Sequence, residues 1–213
     1  MAGKKDPVRT EATRQKLLEA GYDLFARKNI ESVSLSEITA AAGYGPATMY
    51  RYFSSKPEFV VAVSAWKIAR VWEENRDMRP KTDLSVMTAR EVLENYLDFF
   101  IELYLNHRDA LCFNQLFNIY VRSEHIDAEM ISPYEELVRT LEKRFRVVSE
   151  KAAADHTVRT DVPEKEMFRA TLHLMLAAVT RYAVGLVFRP ESEEQAVEEL
   201  ETLKRALLRE YCT

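Results

Sequence analysis

Apolar side chains recur at every third or fourth position along most of this chain and sustain no strict alternation, a pattern that predicts helices without strands. Leu17, Leu18, Gly21, Leu24 and Phe25 predict a first helix over residues 10–28, and Asn29 suits the left-handed position that closes it. Two short elements follow within residues 34–56. Ser55 and Glu58 have the spacing of a capping box, with Pro57 in the first turn, so a long helix is expected from there through Trp66 and Trp72 to residue 77. Residues 79–83 break the pattern and are the expected linker. Beyond them the stripes predict helices over 89–105, 109–121, 132–155, 163–188 and 192–211. The expected fold is all α, with a three-helix N-terminal head over residues 1–56 and a larger helical body over residues 57–213.

The last two helices differ in character from the rest. Residues 167–188 are apolar nearly all round, with Ala170, Ala177, Ala178, Ala183 and Gly185 as small contact points, so this segment must be covered on more than one side. The final helix carries one stripe, Val197, Leu200, Leu203, Leu207, Leu208 and Tyr211, opposite Glu198, Glu199, Glu201, Lys204 and Arg205. Two such helices can meet their symmetry mates in a four-helix dimer interface, or bury themselves within one protomer.

Residues 34–56 organise the head. Ser34 and Glu37 form a capping box that starts a short helix, Ile38 lies on the face of Ala41 and Ala42, and Gly43 supplies the left-handed conformation that ends it. Gly45 then serves as an N-cap and Pro46 as a first helical residue, so a second helix begins at once. Met49 and Phe53, four apart, face inward, which leaves Ala47, Thr48 and Arg51 outward with Tyr50 and Tyr52 beside them. A helix–turn–helix of this kind lays its second helix in the major groove of DNA.

The residues ITAAAG, then Thr48, Tyr50, Tyr52 and Phe53 in TMYRYF, and Lys56 after two serines, resemble the DNA-binding motif of the TetR family of transcriptional regulators. The resemblance is specific over roughly residues 10–60 and architectural beyond. It implies a homodimer whose two heads bind successive major grooves of a palindromic operator, with an effector in the body altering their separation. It also implies that Thr48, Tyr50 and Lys56 hold phosphates while Ala47, Arg51 and Tyr52 face base edges. Some positions depart from the family pattern. Asn29 replaces the usual glycine, Ser36 stands where a longer polar side chain is common, and Gly45 with Pro46 removes two side-chain donors. Readout is therefore expected to lean on thymine-methyl contacts from Pro46 and Ala47 and on DNA shape.

Charge adds little alone. The net charge is −4, yet residues 1–60 carry nine Lys or Arg against seven acids, a slightly basic head on an acidic body. Lys4, Lys5 and Arg9 would form a basic arm, either solvated or in contact with phosphate. A hydrophobic content of 47% with five glycines and seven prolines excludes a disordered chain. Two cysteines without metal-ligand spacing, no signal-peptide core and an apolar stretch at 172–188 interrupted by His173 and Arg181 point to a cytoplasmic protein with no membrane span.

Catalysis is not expected. His125 with Glu124, Asp127 and Glu129 reads as acids near a helix start, rather than a metal site. Cys112 and His107, five apart, are poorly spaced for a nucleophile and its base, and no glycine loop is present to cradle phosphates. Neither a metal nor a cofactor is expected. The body does hold a concentration of aromatic residues. Trp66, Phe100, Tyr104, Phe113 and Phe117, with Asn114 or Asn118 to orient a ligand, are the candidate site for a small, mostly apolar effector; the alternative is ordinary core. The sequence thus reads as a ligand-responsive DNA-binding regulator, a repressor acting as a homodimer. A constitutive DNA-binding dimer and a helical protein-interaction module are the alternatives.

Overall fold

Local hydrogen bonding accounts for where most of the helices begin and end. The computed structural model describes residues 7–78 and 83–213, the side chains of residues 7–9 and 76–78 excepted. Helix α1 (Pro7–Lys28) closes at Asn29, whose φ of 76° is left-handed and whose Oδ1 accepts from the Ile30 amide at 2.7 Å. Helix α2 (Leu35–Ala41) opens on the capping box: Ser34 Oγ accepts from the Glu37 amide at 3.2 Å, and the Glu37 carboxylate accepts from the Ser34 amide at 2.8 Å. Gly43, at φ 78°, turns the chain. The next element, Pro46–Arg51, is a 3-10 helix capped by extended Gly45 rather than a full α-helix.

Helix α3 (Lys56–Met78) begins with a modified box. Ser55 Oγ accepts from the Glu58 amide at 3.3 Å, but the Glu58 carboxylate accepts from the amide and hydroxyl of Ser54, at 2.7 and 2.6 Å. The expected linker falls mostly outside the described residues, as do Lys4, Lys5 and the Arg9 side chain of the basic arm. Helix α4 (Ala89–Asn106) has its first three amides assigned to side chains: Ala89 donates to Asp155 Oδ2, Arg90 to Thr157 Oγ1, and Glu91 to Thr88 Oγ1. Helix α5 spans Arg108–Ser123.

Two expected boundaries move. Helix α6 (Ala128–Asp155) starts four residues before 132, because Asp127 Oδ1 accepts from the Met130 amide at 2.8 Å, and Pro133 lies inside it. Helix α7 (Glu164–Val184) stops short of residue 188, because Gly185 takes φ 108° and its amide donates to the Arg181 carbonyl. Val187 and Phe188 therefore leave the helix and are exposed. Helix α8 (Glu193–Tyr211) is capped by Ser192. Among the described residues there is no strand; one β-bridge pairs Val158 with Cys212. No described helix is long and apolar enough to cross a membrane.

The chain divides into two compact units, Met1–Arg70 with Phe113–Leu137, and Val71–Cys112 with Val138–Thr213. Each boundary falls inside a helix, α3, α5 or α6. The core of the first unit holds Leu17, Phe25, Ile38, Met49, Phe53 and Phe59 together with Phe113 and Phe117. Gly21 lets α3 approach α1, since a Cβ there would lie 2.5 Å from Phe59 Cζ. In the second unit α4 packs on α7 and α8 around Leu93, Leu97, Phe100, Phe145, Met175 and Leu207. The α8 stripe turns inward: Leu200, Leu207, Leu208 and Tyr211 are buried in their own protomer and Val197 and Leu203 pack against that core.

Candidate functional site

The short element after Gly45 is held by few but well-placed bonds. The Thr48 amide donates to the Gly45 carbonyl at 2.9 Å, and the Tyr52 and Phe53 amides both donate to that of Met49. Met49 and Phe53 are buried, and the Phe53 ring meets Phe59 edge-on at 4.9 Å, so the element is anchored along one side. The opposite side faces solvent. Pro46, Ala47, Tyr50 and Arg51 are exposed, Thr48 and Tyr52 are half-buried, and the Arg51 guanidinium stands 5.8 Å from the centre of the Tyr52 ring. Ser36, on α2, is exposed as well.

Lys56 is less free than its sequence position implies. Its ammonium donates to the Glu31 carbonyl at 3.0 Å, and partial burial holds it below its ordinary pKa against the pull of Glu124, Glu31 and Glu37. Glu37 is the reverse case. The amide and hydroxyl of Ser34 donate to its carboxylate and Lys28 pairs with it at 3.2 Å, which brings it from 4.5 to about 2.

The aromatic residues proposed for the effector fall into two groups. Trp66, Phe113, Asn114 and Phe117 belong to the first unit. There Trp66 Nε1 donates to Gln15 Oε1 at 3.0 Å, Phe113 meets Tyr22 edge-on at 5.1 Å, and the Tyr134 hydroxyl donates to Asn114 Oδ1 at 3.1 Å. Asn118 is exposed. Phe100 and Tyr104 are buried in the second unit. Tyr104 also borders an open cleft of about 400 Å³ that includes Arg108, Tyr182, Gly185, Arg189 and Ser192. The Arg108 charge is already engaged: Glu193 lies 2.8 Å away, the Tyr104 carbonyl accepts from Nε at 3.1 Å, and the Tyr104 ring centre is 4.2 Å from the guanidinium.

Sequence reasoning passed over the polar atoms buried in the second unit at Asn75, Tyr96 and Thr171, and reached His107 only as one of the polar groups among the body's aromatic residues. Tyr96 recurs with Phe100 and Leu103 on one helical stripe, which was the available signal. Cys112 and His107 form no nucleophile–base pair. The Cys112 thiol donates to the Ala183 carbonyl at 3.3 Å, and burial together with Asp109 pushes its pKa up.

Residues 17–63 match the model of the bacterial regulatory proteins of the tetR family. Over 203 residues, 94% of this chain and 98% of the relative, the sequence is 25% identical to an uncharacterised helix-turn-helix-type transcriptional regulator of Bacillus subtilis. The fold is similar to that of the transcriptional regulator FadR of Bacillus subtilis, solved in complex with stearoyl-CoA, at a TM-score of 0.68 and 15% identity over 91% of this chain and 97% of that one. It is also similar to the ketosteroid transcriptional regulator KstR2 of Mycobacterium tuberculosis, at a TM-score of 0.61 and 18% identity over 94% and 95% of the two chains. A helix–turn–helix matched in sequence over residues 17–63, carried on a helical body similar in fold to these regulators, gives this chain the DNA-binding head of the tetR family of bacterial regulatory proteins.

Proposed function

We propose that this regulator binds a palindromic operator as a homodimer and represses transcription until a small, mostly apolar effector releases it. The observation that carries the reading is the anchored 3-10 element, which buries Met49 and Phe53 and turns Ala47, Tyr50 and Arg51 outward from residues 1–56. Thr48, Tyr50 and Lys56 hold phosphates in this reading, while Ala47, Arg51 and Tyr52 face bases; Pro46 and Ser36 flank them. The second copy is seated on α7, where Leu174, Ala177 and Val184 form an exposed strip with apolar Val187 and Phe188 beyond it. Two heads so joined read half-sites about 34 to 36 Å apart, and an effector that favours another spacing lowers affinity for DNA. The FadR structure with stearoyl-CoA and the ketosteroid regulator support an effector that is largely apolar.

Capturing fragments of the source genome on the full-length protein and sequencing them tests this. The expected result is one enriched motif with two-fold symmetry and half-sites one helical turn apart, upstream of genes whose transcripts rise when the regulator is deleted. Retention of duplex without any enriched symmetric motif would overturn it.

A further inference from the structure

Four side chains of the second unit each place a polar atom inside an apolar core without a hydrogen-bond partner: Asn75 Nδ2 on α3, the Tyr96 hydroxyl and His107 Nε2 at α4, and Thr171 Oγ1 on α7. Asn75, His107 and Thr171 are all more than nine-tenths buried. Folded proteins pair nearly all such atoms, because one left unpaired has given up water for nothing. Several in one core therefore point to something that meets them.

Their positions form a pattern. Tyr96, Phe100, Leu103 and His107 are spaced four, three and four apart, which puts them on one stripe of α4. At the helical rise, the ends of this stripe are about 16 Å apart. Beside Tyr96 the wall is aromatic: its ring meets Phe100 and Phe145 edge-on at 5.4 and 5.1 Å, and Phe145 lies 5.6 Å from Phe168, one turn before Thr171 on α7. At the other end, His107 Nδ1 is 3.8 Å from the carboxylate of Glu74, the neighbour of Asn75. The strip is thus apolar in the middle and polar at both ends.

The charged group beside the strip is the Glu74 carboxylate, half-exposed and set against the His107 ring. Among the described residues of this unit the buried cation is Lys204, which is paired with Asp98, Glu94 and Glu201. Glu94 and Asp98 precede and follow Tyr96 by two residues and so fall on the other side of α4.

We propose that this strip binds a long, uncharged, mostly apolar effector with an oxygen function near each end, one end held by Tyr96 and Thr171 and the other by His107 and Asn75. The inference rests on the reading of the protein as ligand-responsive and names the chemistry of its effector. A carboxylate at the Tyr96 end would be desolvated against unpaired neutral groups and at the other end would face Glu74, while a quaternary ammonium offers no hydrogen bond to any of the four atoms.

The test is calorimetric titration of the full-length protein with four monomeric probes of one chain length: dodecanediol with a hydroxyl at each end, dodecanol, dodecanoate and dodecyltrimethylammonium. The diol is expected to bind one per protomer and about tenfold more tightly than dodecanol, the usual order for one added buried hydrogen bond, with the two ions weaker still. Tyr96→Phe and His107→Leu should each bring the diol to the affinity of dodecanol while leaving dodecanol itself nearly unchanged, since its single hydroxyl can use the end that remains. Thr171→Val, nearly isosteric, gives a second variant at the Tyr96 end, and melting of each unliganded variant checks that it folds. A diol that binds no better than dodecanol, a ratio untouched by the substitutions, or no binding by any probe overturns the proposal. Genomic capture is run on the same preparation. Symmetric DNA retained without binding of any probe removes the effector assignment alone, whereas diol binding without retained DNA removes the regulatory reading and leaves the site.

Discussion

The ammonium of Lys56 donates to the carbonyl oxygen of Glu31 at 3.0 Å, so the first residue of α3 is tied to the turn that follows α1. A lysine has three donors, and this bond uses one. The remaining two are available to a phosphate, delivered from a position the protein has already set. Lys56→Ala is expected to weaken every duplex to a similar degree and to lower the slope of log affinity against log salt by about one. Arg51→Ala is expected to relax discrimination at particular base pairs as well. Titrations at a series of salt concentrations decide it; an unaltered slope for Lys56→Ala excludes the phosphate contact.

Gly21 offers a test of how α1 meets α3. Alanine favours a helix over glycine by about 1 kcal/mol, which taken alone would make Gly21→Ala stabilising. The added methyl would lie 2.5 Å from Phe59 Cζ and 2.6 Å from Cε1, and the Phe59 ring is itself held by Phe25 and Phe53. Overpacking of this kind costs about 1 to 3 kcal/mol, so net destabilisation is expected. A denaturant midpoint equal to or above that of the parent protein would show that the ring can yield.

The capping box at the start of α2 makes the head sensitive to acid. Glu37 titrates at about 2 in the folded chain and at 4.5 when unconstrained, the Ser34 amide and hydroxyl favouring the charged form. A lowered folded pKa means that this contribution is complete above 4.5 and lost as pH falls toward 2. Glu37→Gln should flatten that part of the stability profile and leave the neutral end parallel to the parent. Circular-dichroism melts across this range measure it, and a variant with the parent's full acid slope would assign the loss to other carboxylates.

The dimer reading predicts that substitutions at two leucines differ in what they do to the protomer. Leu203 packs against the core of its own protomer, so Leu203→Glu is expected to damage the fold as well as the assembly. Leu174 is about half exposed, so Leu174→Glu should change the stability of the protomer by less than about 0.5 kcal/mol while preventing association. Light scattering at micromolar concentration, beside a melt, separates the two effects. A dimeric Leu174→Glu variant would place the interface elsewhere.

Much of the head is written into short stretches of sequence. Ser34 and Glu37 are three apart, Asn29 and Gly43 carry their backbone preference with them, and Gly45 followed by Pro46 suits the start of a helical turn, so these features depend on neighbours a few residues away. Met49 and Phe53 do turn inward as their spacing suggests, although the element is a 3-10 helix that ends at Arg51 and their burial rests on packing against the head's core. The physical reason is that caps and turns close rings of only a few residues, and no distant contact competes with them. Even here the limit is visible: Ser54 and Ser55 are equally good partners for Glu58, and only the path of the chain into α3 assigns the carboxylate to Ser54.

Burial is different, because an apolar stripe records that a face is covered and is silent on what covers it. The leucines of α8 could equally serve a partner or their own protomer, and the packing of α4 and α7 takes them inward, leaving Leu174 and Val184 of α7 outside. Aromatic residues close in sequence, such as Tyr104 and Phe113, are assigned to different cores. Asn114 is a ligand candidate in the sequence, yet Tyr134, twenty residues on, supplies its hydrogen bond, while the hydroxyls of Tyr96 and Thr171 are buried with no partner. Whether a buried polar atom is satisfied depends on groups brought beside it from remote parts of the chain, and that only the tertiary structure decides.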